Sequence, residues 1–329
     1  MVGRVRWNCH ERKGMRILVT GADGFVGRHL VVAWRESLPQ AEIWGLVHEN
    51  KSIDLPTSFV RSCNLQDKRM LRDRCKEIAP DWVVHLAAQS FIPQAFNNPQ
   101  ETWEVNLWGT FHLLESLRET HFTGRFLFVG SAEQYGKVDE EHLPVRESHP
   151  FRPRNAYAAS KAAAELLCFQ YCQSYGLDIV LARAFNHIGP GQSPRFVVAD
   201  FARQVARIEQ GLQPPLLSVG NLEVTRDFLD VRDVIAAYRD LLEKGKSGEA
   251  YNICSGREVL LSDLVHTLAR FAAKRIEVRV DPSRVRPVDT PRMYGSHAKL
   301  SDHTGWQPKK ELMQTLGEVF TYWKGVSNP

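Results

Sequence analysis

The 329-residue chain contains 43% hydrophobic and 24% charged residues, as is typical of a globular protein with one large or two modest domains. Its formal net charge is only +4 and its basic residues are mixed with acidic ones, so nucleic-acid binding is not expected. Six cysteines show no C-x-x-C spacing, and no apolar run reaches the ~18 residues that span a bilayer, so we expect reduced thiols, no metal, no membrane association and a cytoplasmic location.

The first half of the chain alternates short apolar runs with longer helical patterns. Residues 1–14 are basic and lack the apolar core of a signal peptide, so we expect a flexible leader. The predicted strands that follow are 16–20, 42–47, 58–61, 82–86, 125–130 and 179–184. Strands that alternate with helices in this way predict an α/β fold with a doubly wound parallel sheet, the Rossmann architecture of nucleotide-binding proteins.

The second half departs from this rhythm at Gly/Pro-rich loops after Phe185. It predicts helices at 198–210, 231–244 and 261–273, strands at 250–254 and 276–280, and a terminal helix. We therefore predict a Rossmann domain formed by 15–186 plus 222–255. A smaller, discontinuous α+β substrate domain is predicted for 187–221 plus 256–329.

A glycine-rich turn, G-x-x-G-x-x-G, lies between the first strand and the first helix and is formed by Gly21, Gly24 and Gly27. Glycines at a strand–helix turn allow backbone N–H groups to approach a pyrophosphate at the helix N-terminus. The turn therefore predicts dinucleotide binding, with Phe25 and Val26 in the same loop.

The second strand ends in Val47-His48, without the acidic residue that hydrogen-bonds an adenosine ribose. Arg28 follows the last glycine, where a 2′-phosphate could be accommodated. These features favour NADP(H) over NAD(H), with His48 and Arg28 near the ribose, although Arg28 could equally be a solvated helix residue.

The predicted fourth strand ends in His85-Leu86-Ala87-Ala88, at the sheet edge that would line the cofactor crevice. The small side chains of this loop allow a cofactor to approach closely. His85 itself is interpreted as a core histidine. Asn106, further along, either joins a polar relay or hydrogen-bonds a local kink.

Tyr157 and Lys161 are four residues apart, which places them on one face of a helix. Bringing a phenol from a pKa of ~10 to ~7 takes about 4 kcal/mol, roughly what an ammonium ~4 Å away supplies at an effective dielectric near 20. Such pairs are common on helix surfaces, so the spacing alone does not establish catalysis. Ser131, at the end of the predicted fifth strand, faces the same crevice and could hydrogen-bond a substrate carbonyl.

The glycines, the strand-end serine and Tyr-x-x-x-Lys, in this order, resemble the extended short-chain dehydrogenase/reductase family, in its nucleotide-sugar branch. The resemblance covers the chain from Met15 almost to its end. It implies an NAD(P)-dependent oxidoreductase whose catalytic set is Ser131, Tyr157 and Lys161. It also implies that Lys161 holds the nicotinamide ribose.

Segments in the second half are similar to those of the branch that acts on GDP-linked sugars, above all its 4-keto-6-deoxymannose reductases. They are 183–192, 225–230 and 286–289. The resemblance implies that Asn186, Arg226 and Arg286 contact the substrate diphosphate and that Asp289 contacts the ribose. Planar guanidinium groups suit phosphate oxygens, although either arginine could instead form an exposed salt bridge.

Two reactions are possible within this branch. A 4,6-dehydratase needs an additional acid/base beside the tyrosine, typically in a Thr-Asp-Glu or Thr-Ser-Glu triplet, where this chain has Ser131-Ala132-Glu133. Ala132 cannot transfer a proton, so we expect reduction of a GDP-linked 4-keto-6-deoxyhexose to a GDP-6-deoxyhexose such as GDP-rhamnose. Glu133 leaves a GDP-mannose 4,6-dehydratase, or another nucleotide-sugar epimerase or dehydratase, as the alternative. A non-catalytic nucleotide-binding protein is more distant.

The branch also implies a homodimer, formed by apolar helix faces around 110–117 and 162–169. Packing of those faces into the chain's own core would explain them almost as well. The stereochemistry at sugar carbon 4 does not follow from the residues.

Overall fold

The computed structural model describes residues 14–48, 58–285 and 290–326. The leader, apart from Gly14, and the predicted substrate contacts Arg286 and Asp289 lie outside these residues.

Strands and helices alternate through the first half of the described chain. The strands are β1 Arg16–Thr20, β2 Glu42–Val47, β3 Phe59–Ser62, β4 Trp82–His85, β5 Arg125–Ser131, β6 Asp178–Ala184, β7 Asn186–Ile188, β8 Leu216–Val219, β9 Thr225–Arg226, β10 Phe228–Asp230, β11 Ala250–Ile253, β12 Val259–Leu260, β13 Glu277–Val280 and β14 Arg292–Met293. The α-helices are α1 Phe25–Ser37, α2 Lys68–Ile78, α3 Ile92–Asn97, α4 Pro99–Trp103, α5 Gly109–Glu119, α6 Ala156–Tyr175, α7 Val197–Glu209, α8 Val231–Lys244, α9 Leu261–Ala269, α10 Ala298–Thr304 and α11 Leu312–Gly325.

The central sheet has seven parallel strands in the order β11-β6-β5-β4-β1-β2-β3. One face is covered by a hydrophobic core to which α1 and α8 contribute, and the other by a core to which α2, α5 and α6 contribute. The predicted doubly wound parallel sheet is confirmed. Because the strand order reverses between β1 and β4, their carboxyl ends open a crevice of the kind that binds nucleotides.

The second hydrophobic centre lies among α7, α9 and α11. It is accompanied by the β8/β13 pair and by a small sheet in the order β12-β9-β14. Helix α9 ends at Ala269, four residues short of the predicted end, and Phe271 beyond it stacks on Phe320 with ring centroids 5.5 Å apart. The helix therefore stops where an aromatic contact turns the chain back onto α11.

The predicted domain boundaries stay a prediction, although some buried residues pack across them. Leu300 and Trp306, assigned to the second domain, pack in the core on one face of the large sheet. Val224 and Phe228, assigned to the Rossmann domain, pack in the core formed by α7, α9 and α11. Buried side chains from each predicted domain therefore pack in the core of the other.

A buried carboxylate, that of Asp227, holds the loops at this junction. It accepts hydrogen bonds from the backbone N–H groups of Ser255, Gly256 and Gly295, and from the Ser255 hydroxyl at 2.6 Å. Burial raises the pKa of Asp227, and these hydrogen bonds oppose the rise because they stabilise the charged form. Two loop segments, one at Ser255 and Gly256 and one at Gly295, are therefore fixed next to β9.

His85 is a buried core residue, in agreement with its interpretation from the sequence. The Thr110 hydroxyl donates to the Asn106 carbonyl, so it accepts from Nε2 of His85 at 3.0 Å. Nδ1 then accepts from the Thr20 hydroxyl at 2.8 Å. Burial, with a smaller contribution from the Lys161 charge, lowers the pKa of His85 to about 3, so the ring is neutral and ties the ends of β1 and β4 together.

Candidate functional site

The glycine turn is a tight cradle in which side chains do not fit. Gly21 has φ of +67°, and a Cβ on it would lie 2.9 Å from the backbone of Ala87. A Cβ on Gly27 would lie 2.4 Å from the Gly21 carbonyl oxygen. The turn is thus packed against the loop after β4 and against the start of α1, so both loops lie at one crevice.

The N-terminus of α1 is open toward this crevice. Gly24 is the N-cap residue and provides no side-chain hydrogen bond, and the first turn contains no acidic residue. Backbone N–H groups left without partners at a helix N-terminus, together with the helix dipole, favour an anion. The cradle therefore fits the pyrophosphate of a dinucleotide.

The neighbouring predicted cofactor residues lie around the cradle. Val26 and Leu86 pack partly buried against the core, and Phe25 stacks on His187 with ring centroids 6.2 Å apart. The Thr20 hydroxyl accepts from the Ala87 N–H at 3.2 Å and so holds the loop containing Ala88. These contacts fix both walls of the crevice.

Arg28 and His48, the predicted ribose-side residues, are both exposed. The Arg28 Nε donates to the Asp23 carbonyl at 2.8 Å. Arg28 therefore lies at the surface in the first turns of α1, with its guanidinium anchored to the glycine turn.

The predicted catalytic residues Ser131, Tyr157 and Lys161, together with Glu133, come from three elements. Ser131 ends β5 and caps the short 3-10 turn Ala132–Tyr135 that contains Glu133. Tyr157 and Lys161 lie in the first turns of α6, which begins where the Asn155 side chain accepts from the Ala158 N–H at 2.8 Å. The structure brings Ser131 and Tyr157 into hydrogen bonding and places Glu133 close enough to affect the charge of the phenol.

The predicted lowering of the Tyr157 pKa by Lys161 is wrong for this structure. Burial raises the pKa of Tyr157 to about 12, the hydrogen bond with Ser131 opposes this rise, and the Glu133 charge adds to it. The Lys161 ammonium instead donates to the Val129 carbonyl at 2.7 Å and lies 5.3 Å from the Phe128 ring centre. The phenol is therefore protonated at neutral pH, which is the form that a proton donor needs.

Lys161 is only 4% exposed, which is unusual for an ammonium group. Its burial lowers its pKa to about 8, and no nearby carboxylate among the described residues raises the pKa back toward its usual value. At neutral pH the side chain is therefore still mainly charged, although it is buried against the Val129 carbonyl and the Phe128 ring.

A buried polar network behind Ser131 is the main feature that the sequence interpretation missed. The Ser131 N–H donates to the Gln134 side chain, which in turn donates to Glu165. Glu165 pairs with Arg183, whose shortest N–O distance is 2.6 Å. A glutamate on the inward face of α6, four residues after Lys161, was the available sequence signal.

Asn106 lies in a π-helical turn, Glu104–Trp108. Its side chain accepts from the Gln89 N–H at 2.8 Å and donates to the Gln89 carbonyl and the Ser160 hydroxyl, both at 3.0 Å. These contacts link the π-helical turn to the loop after β4 and to α6.

The predicted substrate-binding residues are only partly described. Asn186 is exposed on β7, next to β10. Arg226 lies on β9 and donates through Nη1 to the carbonyls of Thr225 and Thr290, at 2.7 and 2.6 Å. Asn186 pairs with Phe228 of β10, two residues after Arg226, so the two predicted contacts lie on neighbouring segments.

A surface cavity of about 570 Å³ lies in the loop 137–152 and contains none of the predicted site residues. Its walls carry charges of both signs, including Lys137, Arg146 and Glu141. No helix within the described ranges is long and apolar enough to cross a membrane. In the same ranges no cluster of three His, Cys, Asp or Glu side chains could hold a metal ion.

Sequence comparison finds relatives along nearly the whole chain. The profile of the family described as GDP-mannose 4,6 dehydratase matches residues 18–319. The GDP-6-deoxy-D-mannose reductase of Pseudomonas aeruginosa is 43% identical over 310 residues, which are 94% of this chain and 97% of that protein. The GDP-mannose 4,6-dehydratase of Yersinia enterocolitica is 29% identical over 80% of this chain and 78% of its own.

Solved structures share the fold over the same length. The structure of RMD from Pseudomonas aeruginosa, complexed with NADPH, has a TM-score of 0.84 and 40% identity and covers 95% of this chain and 98% of its own. The UDP-glucose 4-epimerase of Thermus thermophilus, complexed with NAD, has a TM-score of 0.84 and 32% identity over 95% of this chain and 100% of its own. The observed fold is therefore the fold of these nucleotide-sugar enzymes.

The burial of Lys161 predicts a variant that is more stable than the natural protein. Its folded pKa of about 8 lies below the usual 10.5, so the cost of burying the charge is complete below pH 8 and disappears as the pH rises to 10.5. Lys161→Met should therefore raise the free energy of unfolding by up to about 3 kcal/mol at pH 7, with a gain that shrinks across that window. Denaturant titrations at several pH values measure it.

The matched control is Lys299→Met, because Lys299 forms an ion pair with Glu249 at 2.7 Å. This variant should gain no stability at pH 7. A Lys161→Met protein that is less stable than the natural one, or whose gain does not change with pH, would refute the assigned burial cost.

Proposed function

The chain belongs to the GDP-mannose 4,6-dehydratase family of extended short-chain dehydrogenases/reductases, and from this premise we propose that it reduces the 4-keto group of a GDP-linked 4-keto-6-deoxyhexose. It is an NAD(P)-dependent nucleotide-sugar oxidoreductase. The product is a GDP-6-deoxyhexose such as GDP-D-rhamnose.

Two facts support this proposal most directly: the similarity to a reductase and the alanine at position 132. The relative with 43% identity is a GDP-6-deoxy-D-mannose reductase. Ala132 is buried in an apolar cluster that includes Tyr135, Phe185 and Met293. No acid therefore stands between Ser131 and Glu133 to protonate a leaving hydroxyl, as elimination of water would need.

The proposed mechanism uses groups whose protonation states fit a reduction. The bound NAD(P)H supplies a hydride for sugar carbon 4. Tyr157, with a pKa of about 12, holds the proton that the carbonyl oxygen receives, and Ser131 hydrogen-bonds the same oxygen. By the family resemblance Lys161 would hold the nicotinamide ribose, and Tyr157 would regain its proton from solvent.

The substrate diphosphate is proposed to lie along β7 and β9. Asn186 is supported by its exposed position on β7 opposite Phe228, two residues after Arg226, and Arg226 by a guanidinium that suits phosphate oxygens. Arg286 and Asp289, outside the described residues, remain part of the proposal through the resemblance of the segment 286–289. Glu133 is proposed as a ligand of a sugar hydroxyl.

The test of this function offers GDP-4-keto-6-deoxymannose with NADPH and, separately, GDP-mannose with NADP⁺, the oxidised form that a dehydratase needs to take the hydride from carbon 4. The keto sugar should consume NADPH mole for mole. Tyr157→Phe should lower kcat by about 10²-fold or more, because the proton donor is lost. Tyr175→Phe, a change of an exposed tyrosine on the same helix, should leave kcat unchanged. Turnover of GDP-mannose without net cofactor consumption would instead establish the dehydratase.

We further propose that the protein prefers NADPH to NADH. This preference is supported by the exposed Arg28 beside the cradle, by the absence of an acid at the end of β2, and by a relative's structure with NADPH. A guanidinium near the ribose attracts the charged 2′-phosphate of NADPH but has no comparable electrostatic attraction for the uncharged 2′-hydroxyl of NADH.

Arg28→Ala should therefore raise KM for NADPH about tenfold, the value of one charge-assisted hydrogen bond, and leave KM for NADH within about twofold. Arg35→Ala removes an exposed arginine from the last turn of the same helix and should change neither constant. Equal effects of Arg28→Ala on both cofactors would show that Arg28 does not read the 2′-phosphate.

We also propose a homodimer in the cytoplasm. The apolar side chains of α5 that suggested the dimer, Leu113, Leu114 and Leu117, are buried in the chain's own core, so they do not support it. Trp108, Leu166 and Phe169 support it, because they are large apolar residues exposed on the layer formed by α5 and α6. The cytoplasmic location is supported by the five cysteines of the described residues, all of them free thiols.

Leu166, 61% exposed, gives the sharpest test of the dimer. Light scattering should give twice the 37.5 kDa chain mass for the natural protein at micromolar concentration. Leu166→Glu should give the single-chain mass, because it buries a charge at the interface. Val32→Glu, at an exposed residue on the opposite face of the sheet, should remain dimeric. A natural protein of single-chain mass refutes the dimer.

A further inference from the structure

Gln134 is fully buried directly behind the catalytic turn, and its neighbours allow one orientation of its amide. Its Oε1 accepts from the Ser131 N–H at 2.6 Å, and its Nε2 donates to Glu165 at 2.7 Å. A backbone N–H can only donate and a carboxylate can only accept, so a flipped amide would lose both bonds. The glutamine is thus a fixed link between Ser131 and α6.

Glu165 is itself held by charge. Arg183, on β6, donates to it from Nε at 3.0 Å and from Nη2 at 2.6 Å, and both side chains are less than a tenth exposed. Nη1 of Arg183 donates to the Tyr135 hydroxyl and to the Glu147 carbonyl, both at 2.8 Å. The carboxylate that orients Gln134 therefore has a fixed position and a compensated charge.

Gly130 provides the space for this arrangement. A Cβ on Gly130 would lie 2.4 Å from Oε1 of Gln134 and 3.3 Å from Oε2 of Glu165. Gly130 has no positive φ, so the absence of a side chain serves the close approach of Gln134. The strand end that leads to Ser131 is built around the glutamine.

We propose that Gln134 is a positioning residue that fixes the backbone of Ser131, so that its hydroxyl faces Tyr157. This inference rests on the proposed function, because Ser131 is there the group that binds the carbonyl oxygen. Gln134 touches no substrate itself. Ser131 lies where the β5 ladder ends and the 3-10 turn begins, so the glutamine bond is what keeps its N–H, and with it the direction of its side chain, in place.

The first test compares Gln134→Met with Gln204→Met. Gln204 is a matched buried glutamine, since it also links a carboxylate, that of Asp200, to a backbone N–H, that of Ser218. Both variants should lose similar thermal stability. Only Gln134→Met should lower kcat, by roughly 10 to 100-fold as a small misplacement of a catalytic group does, with KM for the keto sugar and Kd for NADPH within about twofold of the natural values.

The second test exchanges the two partners. Gln134→Glu alone sets two carboxylates against each other and should lower kcat at least as much as Gln134→Met. The double variant Gln134→Glu/Glu165→Gln again offers an acceptor to the Ser131 N–H and a donor between the two side chains, so it should recover about tenfold of that loss. If Gln134→Met does not fold, the kcat of this double variant relative to that of Gln134→Glu still tests the proposal.

The inference fails if Gln134→Met keeps the natural kcat, if Gln204→Met loses kcat equally, or if the double variant is no better than Gln134→Glu. A natural protein that does not reduce the keto sugar would refute the proposed function instead. Amide hydrogen exchange of the segment that contains Ser131 then still tests whether Gln134 fixes the Ser131 backbone. Exchange should be about tenfold faster in Gln134→Met, and unchanged exchange would refute the positioning role.

Discussion

The buried ion pair between Glu165 and Arg183 is the interaction on which the site depends. It joins α6, which contains Tyr157 and Lys161, to β6, and through Gln134 it reaches the end of β5 at Ser131. Such a pair adds little net stability, because desolvation offsets its attraction, yet removal of one partner costs about 3–5 kcal/mol. It therefore acts mainly as a specific connection between elements that must keep a fixed distance.

Burial also sets the protonation states of the site. It raises the pKa of Tyr157 to about 12 and lowers that of Lys161 to about 8, so the apolar surroundings move both groups away from charge. A phenol that holds its proton is suited to protonate a carbonyl oxygen that has received a hydride. The same burial makes Lys161 a cost to the fold, as is common for groups that serve function rather than stability.

Local patterns predicted the strands and the glycine cradle, because both depend on neighbours in sequence, and the resulting strand order predicted that Ser131 and Tyr157 face one crevice. The Gln134–Glu165–Arg183 chain could not be derived from spacing, since its links span 31 and 18 residues and exist only after the sheet has formed. For the same reason the apolar face of α5 was ambiguous: only the fold shows that Leu113 is buried. The raised pKa of Tyr157 follows from burial, which helix periodicity does not report.

The most direct test of the central claim, that hydride passes to carbon 4 of a 4-keto sugar while Tyr157 supplies the proton, is isotope transfer. NADPH deuterated at the transferring position of its nicotinamide is offered with GDP-4-keto-6-deoxymannose, and the product is analysed by NMR. Hydride transfer to carbon 4 predicts one deuterium on that carbon of a GDP-6-deoxyhexose. A product without deuterium at carbon 4, or with deuterium at carbon 6, would contradict it.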